Sequence, residues 1–299
     1  MSSIMNFRDE IFTMEHPIFS LRGGDKKMRK YINFRNKSTI EIVPSRWGSA
    51  TIFDKDMWIY ITSKLIRDLD ENKKIRRTIS FVPHDFFRST NRDSGGRSYV
   101  ELKRTLSRLS GTRIEICQIG TNGKMNIVEF GLIDQWKIIS KMDRKKGNFH
   151  SSKTISITIP EWLYERIVQH RVLQINKRYF SIRKAMERRL YEIARKHCGL
   201  QKKFTISLKR LHEKIGSHSC LNAFKHKIYS SSIQQKEERT LPDYVISIEK
   251  STNQVTFRRE GAENELLFSQ IKKLEKKSEQ SSRQKEEGQG DQGILEATF

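Results

Sequence analysis

The sequence predicts an α+β fold of two similar units in tandem, each built from helices that are followed by a β-hairpin. The first observation is a repeated order of elements, in which a helix starting near Ser98 matches a helix starting near Ser219, about 120 residues later. The second is an Asn-Gly pair at 122–123 between two alternating runs, because this dipeptide is a strong hairpin signal. The third is a large basic charge on the part of the chain that can fold.

The charge indicates a polyanionic partner. The 299 residues include 58 Lys and Arg against 35 Asp and Glu, which gives a formal net charge of +23. Residues 261–299 contribute about −2, so residues 1–260 carry about +25. A basic excess of this size is typical of a protein that binds nucleic acid. The alternatives are a basic protein that its charge keeps soluble and a ribosome-associated protein.

The composition argues against several other classes. Three cysteines are too few for a disulfide framework and indicate a reducing compartment. No apolar run approaches the roughly 18 residues of a membrane span, and the N-terminus has no secretory pattern. We therefore expect neither a secreted protein nor a membrane partner.

The first unit is predicted over residues 37–145, after an N-terminal arm at 1–36. Asp54 stands where a helix N-cap belongs, and the apolar residues after it recur every four positions as far as about Asp70. The predicted elements of this unit are, in order, a strand at 39–43, that helix, a strand at 78–82, a helical turn at 84–89, a helix at 98–110, and hairpin strands at 112–119 and 124–131.

The second unit is predicted over residues 146–260. Ser207 is expected to cap a helix that ends at Gly216, and Ser219 to begin the next helix. The predicted elements are, in order, a strand at 153–159, helices at 161–171 and 181–197, a strand at 204–206, the two helices just described, and hairpin strands at 244–248 and 255–259. Residues 261–299 are polar without periodicity, so we expect a disordered tail there.

Three helices followed by a hairpin follow the plan of the winged helix. This is a helix-turn-helix variant, and the second helix of its motif enters the major groove of DNA. The predicted fold class is therefore α+β, with two winged-helix domains in tandem, and double-stranded DNA is the expected partner. The alternative is one larger α+β domain in which the strands pair across the two units.

The first unit offers a candidate DNA-reading helix at 98–110. Its leucines Leu102, Leu106 and Leu109 fall on one stripe, whereas Arg104 and Arg108 project to the opposite face. Guanidinium groups bind guanine edges in a bidentate manner and also bind phosphates. A solvated basic face is the alternative interpretation.

The second candidate helix begins at Ser219. Leu221, Phe224 and Ile228 form its expected core stripe, and the polar side chains between them lie on the outer face. Asn222 suits adenine, since an amide can pair with that base in a bidentate manner. The predicted DNA-binding residues of both units and their hairpins are Arg97, Lys103, Arg104, Arg108, Arg113, Lys124, Asn222, His226, Lys227, Ser230, Lys250, Arg258 and Arg259.

The sequence lacks two motifs that mark enzymes acting on nucleic acids. It has no glycine-rich phosphate loop, and the His-x-His pair of a rolling-circle relaxase is absent. His218 with Cys220, and His197 with Cys198, have no further residues at zinc-ligand spacing. We therefore expect a protein that is not an enzyme and needs no cofactor and no metal.

Several segments resemble the replication initiator protein A family of bacterial plasmids. They are MEHPIFSL at 14–21, SRWGSATIFDKDMWIYITSKL at 45–65, RLSGTRIEI at 108–116, LPDYVISI at 241–248, and Val-Thr-Phe-Arg at 255–258. The run Gly48–Asp56 matches the stretch that characterises the family. We expect Gly48 to permit a close backbone approach there.

The resemblance implies two winged-helix domains that bind repeated sites, called iterons, at a plasmid origin. It implies a bacterial cytoplasmic protein on plasmid DNA that recruits the host replication initiator and the replicative helicase and can repress its own promoter. A transcriptional repressor with the same domains and no role in replication is the alternative. The sequence leaves monomer and homodimer open.

Overall fold

The computed structural model describes residues 5–33, 38–120, 124–140, 153–199, 201–238 and 240–260. Within these ranges the protein has a mixed α/β fold. The tail predicted at 261–299 lies outside the described residues. The helices are α1 (Ile11–Glu15), α2 (Lys55–Asp70), α3 (Pro83–Ser89), α4 (Gly96–Gly111), α5 (Glu161–Val168), α6 (Ala185–Cys198), α7 (Leu208–Ile215) and α8 (Leu221–Glu238).

Within the described ranges, the strands form four antiparallel groups. The first group pairs β1 (Arg8–Glu10) with β9 (Val172–Gln174), and the second has the order β2 (Arg29–Asn33), β3 (Ser38–Val43), β5 (Arg113–Ile119), β6 (Met125–Gly131). The third has the order β4 (Thr78–Phe81), β8 (Lys153–Thr158), β7 (Gln135–Ser140), and the fourth has the order β10 (Lys203–Ser207), β12 (Gln254–Arg259), β11 (Tyr244–Glu249).

The structure confirms the predictions that depend on near neighbours in the sequence. Both hairpins form, since β5 pairs with β6 and β11 pairs with β12. The Ser207 hydroxyl accepts a hydrogen bond from the Arg210 backbone N–H and caps α7. Gly216 ends that helix in the left-handed conformation, with φ of 70°. Leu102, Leu106 and Leu109 of α4 are all buried.

The interpretation of residues 1–36 as an arm is wrong for the part that the structure describes. Strand β1 pairs with β9, and β2 forms an edge of the sheet of β3, β5 and β6. The backbone of α1 is held by α6, since the Arg189 guanidinium donates hydrogen bonds to the carbonyls of Thr13, Met14 and Glu15. The N-terminal segment therefore joins the two halves of the chain.

The boundary expected between 145 and 146 separates strands that pair. Strand β8 was expected to open the second unit, but it lies between β4 and β7 of the first half. Its alternating isoleucines predict a strand and a buried face, and this pattern carries no information about the partner strand. The pairing across the expected boundary follows the alternative of strands shared between units.

The two halves share an order of elements but differ in strand pairing. In the second half, α6, β10, α7, α8, β11 and β12 follow one another, and β10 joins the hairpin to make a three-stranded sheet. In the first half, α2, β4, α3, α4, β5 and β6 have the same order, but β4 pairs with β8 instead of the hairpin. The two halves therefore repeat the order of elements but not the pairing of the strands.

Helix α2 contributes to both hydrophobic cores. Trp58 belongs to the core of the first half, together with the leucines of α4, whereas Ile59 packs in the core that holds Phe224 of α8. Phe224 and Ile228 are fully buried, as predicted. Leu221 was expected beside them but is 40% exposed, because it is the first residue of α8 and lies ahead of the packed turns.

A buried ionic cluster joins the start of α2 to β1 and α6. The Lys55 ammonium lies 2.8 Å from the Asp9 carboxylate and 3.0 Å from that of Glu192, and all three side chains are almost completely buried. Glu192 also pairs with Arg189 at 2.8 Å and accepts a hydrogen bond from the Tyr179 hydroxyl. Burial raises the pKa of Asp9 to about 7. Burial acts the same way on Glu192, but Lys55 and Arg189 outweigh it and lower the pKa of that carboxyl.

Replacing Lys55 should strongly destabilise the protein. In Lys55→Met the Asp9 and Glu192 carboxylates lose the ammonium between them, so the free energy of unfolding should fall by about 3–5 kcal/mol. Urea unfolding followed by circular dichroism measures this loss. The exposed Lys74, in the segment after α2, offers the control Lys74→Met, which should change stability by less than about 0.5 kcal/mol. Equal losses in the two variants would contradict the role given to Lys55.

Candidate nucleic-acid interface

Helix α4 presents a basic face to solvent. Its buried leucines fix the orientation of the helix, so the residues on the opposite side project outwards. Arg97, Lys103 and Arg104 are exposed. Arg104 is 63% exposed, and its ionic contact with Glu101 is long, at 3.6 Å. Its guanidinium can therefore turn towards an external ligand.

Arg108 does not share this face, and the prediction that it projects away from the core is wrong. Only 14% of its side chain is exposed. The guanidinium makes two hydrogen bonds to the Asp54 carboxylate, of 2.8 and 2.7 Å, and one to Glu101 of 2.6 Å. The hydrogen bonds that Arg108 donates to the Asp54 carboxylate raise the pKa of Arg108 above its ordinary value. Arg108 thus fastens α4 to the start of α2.

Asp54 does not cap α2 with its side chain, which corrects the role expected for it. Its backbone is already helical, with φ of −68° and ψ of −25°, and no side-chain capping bond forms. Its carboxylate accepts hydrogen bonds from the Thr51 backbone N–H and the Thr105 hydroxyl, both of 2.7 Å, in addition to those from Arg108. Asp54 therefore positions the DNA-reading candidate α4 without facing a ligand itself.

The two residues of the first hairpin that were predicted to bind DNA lie at opposite ends of it. Arg113 at the base of β5 pairs with Glu129 of β6 at 2.7 Å, and both side chains are about half exposed. Lys124 is exposed where β6 begins. Residues 121–123, which contain the Asn-Gly turn, lie outside the described residues.

In the second half, α8 and β11 form a concavity that contains three predicted residues. Asn222 and His226 line it from the helix, and Lys250 lines it from the end of the strand. The Lys250 ammonium lies 4.5 Å from the centre of the Tyr229 ring, which is a cation–π contact. Sequence reasoning missed Tyr229, although its place on the flank of the helix, next to Lys225 and His226, was visible in the helical pattern.

The other flank of α8 borders a second groove. Lys227 and Ser230 line this groove with His226, and Lys184 and Arg22 line it from outside the helix. The predicted residues of α8 thus follow one exposed ridge between two concavities. His226 lines both concavities.

Lys250 lies at one end of the second hairpin, and Arg258 and Arg259 lie at the other end. Lys250 follows directly after Glu249, which pairs with Gln254, whereas Arg259 pairs with Tyr244 at the opposite end of the hairpin. Five residues of strand separate these ends by roughly 17 Å. Arg258 instead lies opposite Lys203 of β10, so the exposed cations form a second basic position at the base of the hairpin.

Among the described residues, no group of three or more His, Cys, Asp or Glu side chains is arranged to hold a metal ion. None of the helices in the described ranges is both long enough and apolar enough to cross a bilayer.

The fold is similar to that of solved structures of another protein. Two crystal structures of domains 2 and 3 of RctB superpose with TM-scores of 0.60 and 0.55, at 11% and 10% sequence identity. Each superposition covers 83% of this chain and 95% of the other chain. At this identity the likeness is one of fold.

The sequence matches extend over most of the chain. A "Putative replication protein" of Wigglesworthia glossinidia brevipalpis is 47% identical over 257 residues, which are 86% of this chain and 90% of that protein. The profile of the family named replication initiator protein A matches residues 8–246. This match confirms the resemblance that the segments around Gly48–Asp56 indicated. The chain belongs to the replication initiator protein A family.

Proposed function

We propose that the protein is a plasmid replication initiator that binds repeated duplex DNA sites at its origin in a sequence-specific manner. The observation that carries this proposal is the pair of exposed polar helix faces, on α4 and α8, in a chain of a replication initiator family. Each helix packs on a hydrophobic core and is followed by an antiparallel hairpin. The chain acts by binding and performs no catalysis.

We infer that the α4 and α8 units act as tandem winged helices. Support comes from the second half, where the order of elements and the addition of β10 to the hairpin agree with that plan. The first half has the same order of elements, but its β4 pairs with β8 and not with the hairpin. In both units the helix before the hairpin would enter the major groove, and the hairpin would follow the phosphate backbone.

The exposed groups fit the two tasks of DNA recognition. On α4, Arg104 has the planar donor geometry that reads guanine, while Arg97 and Lys103 on its flanks suit phosphates. On α8, Asn222 suits adenine, and Lys227 and Lys250 lie on either side of the ridge. Contacts to bases supply specificity, and contacts to phosphates supply most of the affinity.

Once bound, the protein would recruit the host replication initiator and the replicative helicase to the origin. Binding to its own promoter would also make it an autorepressor. A repressor without a role in replication would use the same DNA-reading surfaces, so the arrangement of binding sites separates the two functions.

Footprinting on the replicon that carries the gene tests the proposal. We expect protection of several regularly spaced repeats near the origin, because an initiator loads many copies of itself at one place. Protection of a single operator upstream of the gene would instead support the repressor. The absence of any protected sequence would overturn sequence-specific binding.

Binding should depend strongly on salt. If about eight phosphates are neutralised, the logarithm of the association constant should fall against the logarithm of the salt concentration with a slope near −7. Fluorescence anisotropy with a labelled duplex across a series of salt concentrations measures the slope. A flat response would mean that the charge of +23 does not serve DNA binding.

Arg104→Ala should weaken binding to a cognate repeat much more than binding to random duplex. The loss of a bidentate contact with guanine costs about 1–3 kcal/mol of discrimination at one base pair. Lys124→Ala should weaken both duplexes about equally and reduce the salt slope by about one unit, as expected for a phosphate contact. An equal loss of affinity on both duplexes for Arg104→Ala would mean that α4 contacts only the DNA backbone. The residues that read bases would then have to lie on α8.

Arg108→Ala is the matched control on the same helix. Because Arg108 pairs with the buried Asp54, its loss should lower the free energy of unfolding by about 3 kcal/mol, whereas Arg104→Ala should leave stability within about 0.5 kcal/mol. Denaturation of both variants distinguishes a structural arginine from a DNA-facing one. A stable Arg108→Ala variant with a selective loss of cognate binding would reverse the two assignments.

A further inference from the structure

Residues 22–27, of sequence RGGDKK, form a basic loop between α1 and β2. Arg22, Lys26 and Lys27 are exposed, and within the described residues none of these three side chains takes part in an ion pair. The single acidic residue of the loop, Asp25, turns inwards. It accepts a hydrogen bond from the Ser20 hydroxyl of 3.1 Å and lies 3.9 Å from the buried Arg29. The loop therefore offers three cations to solvent and hides its one carboxylate.

The family run that starts at Gly48 holds this loop in place. Gly48 has a φ of 93°, and a β-carbon there would lie 2.9 Å from the backbone of Gly24. The next residue, Ser49, donates its backbone N–H to the Asp25 carbonyl at 2.7 Å. Gly48 was expected to permit a close backbone approach, and the approaching segment is the basic loop. The loop is thus fixed by buried backbone contacts.

The loop lies beside the start of α8. Arg22 lines the same groove as Lys227 and Ser230 of that helix. Lys26 and Lys27 line an adjoining concavity with His218, whose Nε2 atom is 3.6 Å from Asp25. The cations of the loop therefore continue the basic flank of the α8 ridge.

We propose that the three cations of the basic loop, Arg22, Lys26 and Lys27, bind phosphates and hold the DNA backbone next to the base pairs contacted by α8. Phosphate contacts require cations that are exposed, free of ion pairs and held at a fixed place, and Arg22, Lys26 and Lys27 meet each condition. The inference rests on the proposed DNA-binding function. It adds an N-terminal contact outside both helix and hairpin units.

The triple variant Arg22→Ala, Lys26→Ala, Lys27→Ala tests the loop on random-sequence duplex of about 40 base pairs. We expect an affinity at least tenfold lower and a salt slope smaller by about 2–3 units, since each lost phosphate contact removes about 0.9 units. The control Lys73→Ala, Lys74→Ala, Arg76→Ala removes the same charge from another exposed segment. It should change the affinity less than threefold. Equal losses in the two triples would reduce the loop to part of the general charge and overturn the inference.

A second pair of variants moves the loop without changing its charge. Gly48→Ala forces the loop away from Gly24 and should reproduce part of the affinity loss and of the change in salt slope. Gly23→Ala adds its methyl group to open space and should bind as the wild type does. Circular dichroism verifies that each variant is folded. The triple variant keeps the test decisive where Gly48→Ala does not fold.

The outcomes separate this inference from the proposed function. Wild-type binding with losses for Arg104→Ala and Asn222→Ala but none for the loop triple would overturn the loop alone. Loss of random-duplex binding in the loop triple, with no protected repeats in footprinting, would support the loop and overturn origin recognition. Absence of any DNA binding by the wild type would overturn both.

Discussion

The fold depends on three consecutive charged residues that are buried at the start of α2. Asp54 binds Arg108 of α4, Lys55 binds β1 and α6 through Asp9 and Glu192, and Asp56 binds α6 through Arg188. A buried charge is costly unless it is paired and hydrogen-bonded. The three side chains of this one turn must therefore pair with partners in three directions. This requirement restricts the positions that the surrounding elements can take.

This constraint gives a physical meaning to the run Gly48–Asp56, by which the family is recognised. None of these residues was predicted to contact DNA, yet Gly48 holds the basic loop and Asp54 holds α4. Hydrophobic packing alone is not directional, and α2 contributes to both cores through adjacent residues, Trp58 and Ile59. The ion pairs add the orientation that packing leaves open.

Sequence reasoning predicted the elements whose cause lies within a few residues. The stripe of α4, the hairpins and the Ser207 cap are of this kind, because helix periodicity, turn chemistry and capping are local. It could not find the partner of β8 or the pairing of β1, because alternation defines a buried face but no neighbour. The prediction that Arg108 projects away from the core was wrong for the same reason. The angular position of a residue on a helix does not reveal that Asp54, distant in the sequence, faces that side of α4.

Because the two halves are joined by strand pairing and ion pairs, the helices α4 and α8 would act on one DNA molecule together. Two units on a flexible linker must be ordered on binding, and this cost reduces the affinity. Here β1 pairs with β9, and Asp56 binds Arg188, so α4 and α8 belong to elements that are already joined. Under the proposed function, engagement of one helix would present the other at a fixed distance. The spacing between the two recognised segments would then be a property of the protein, set by the buried charges at the start of α2.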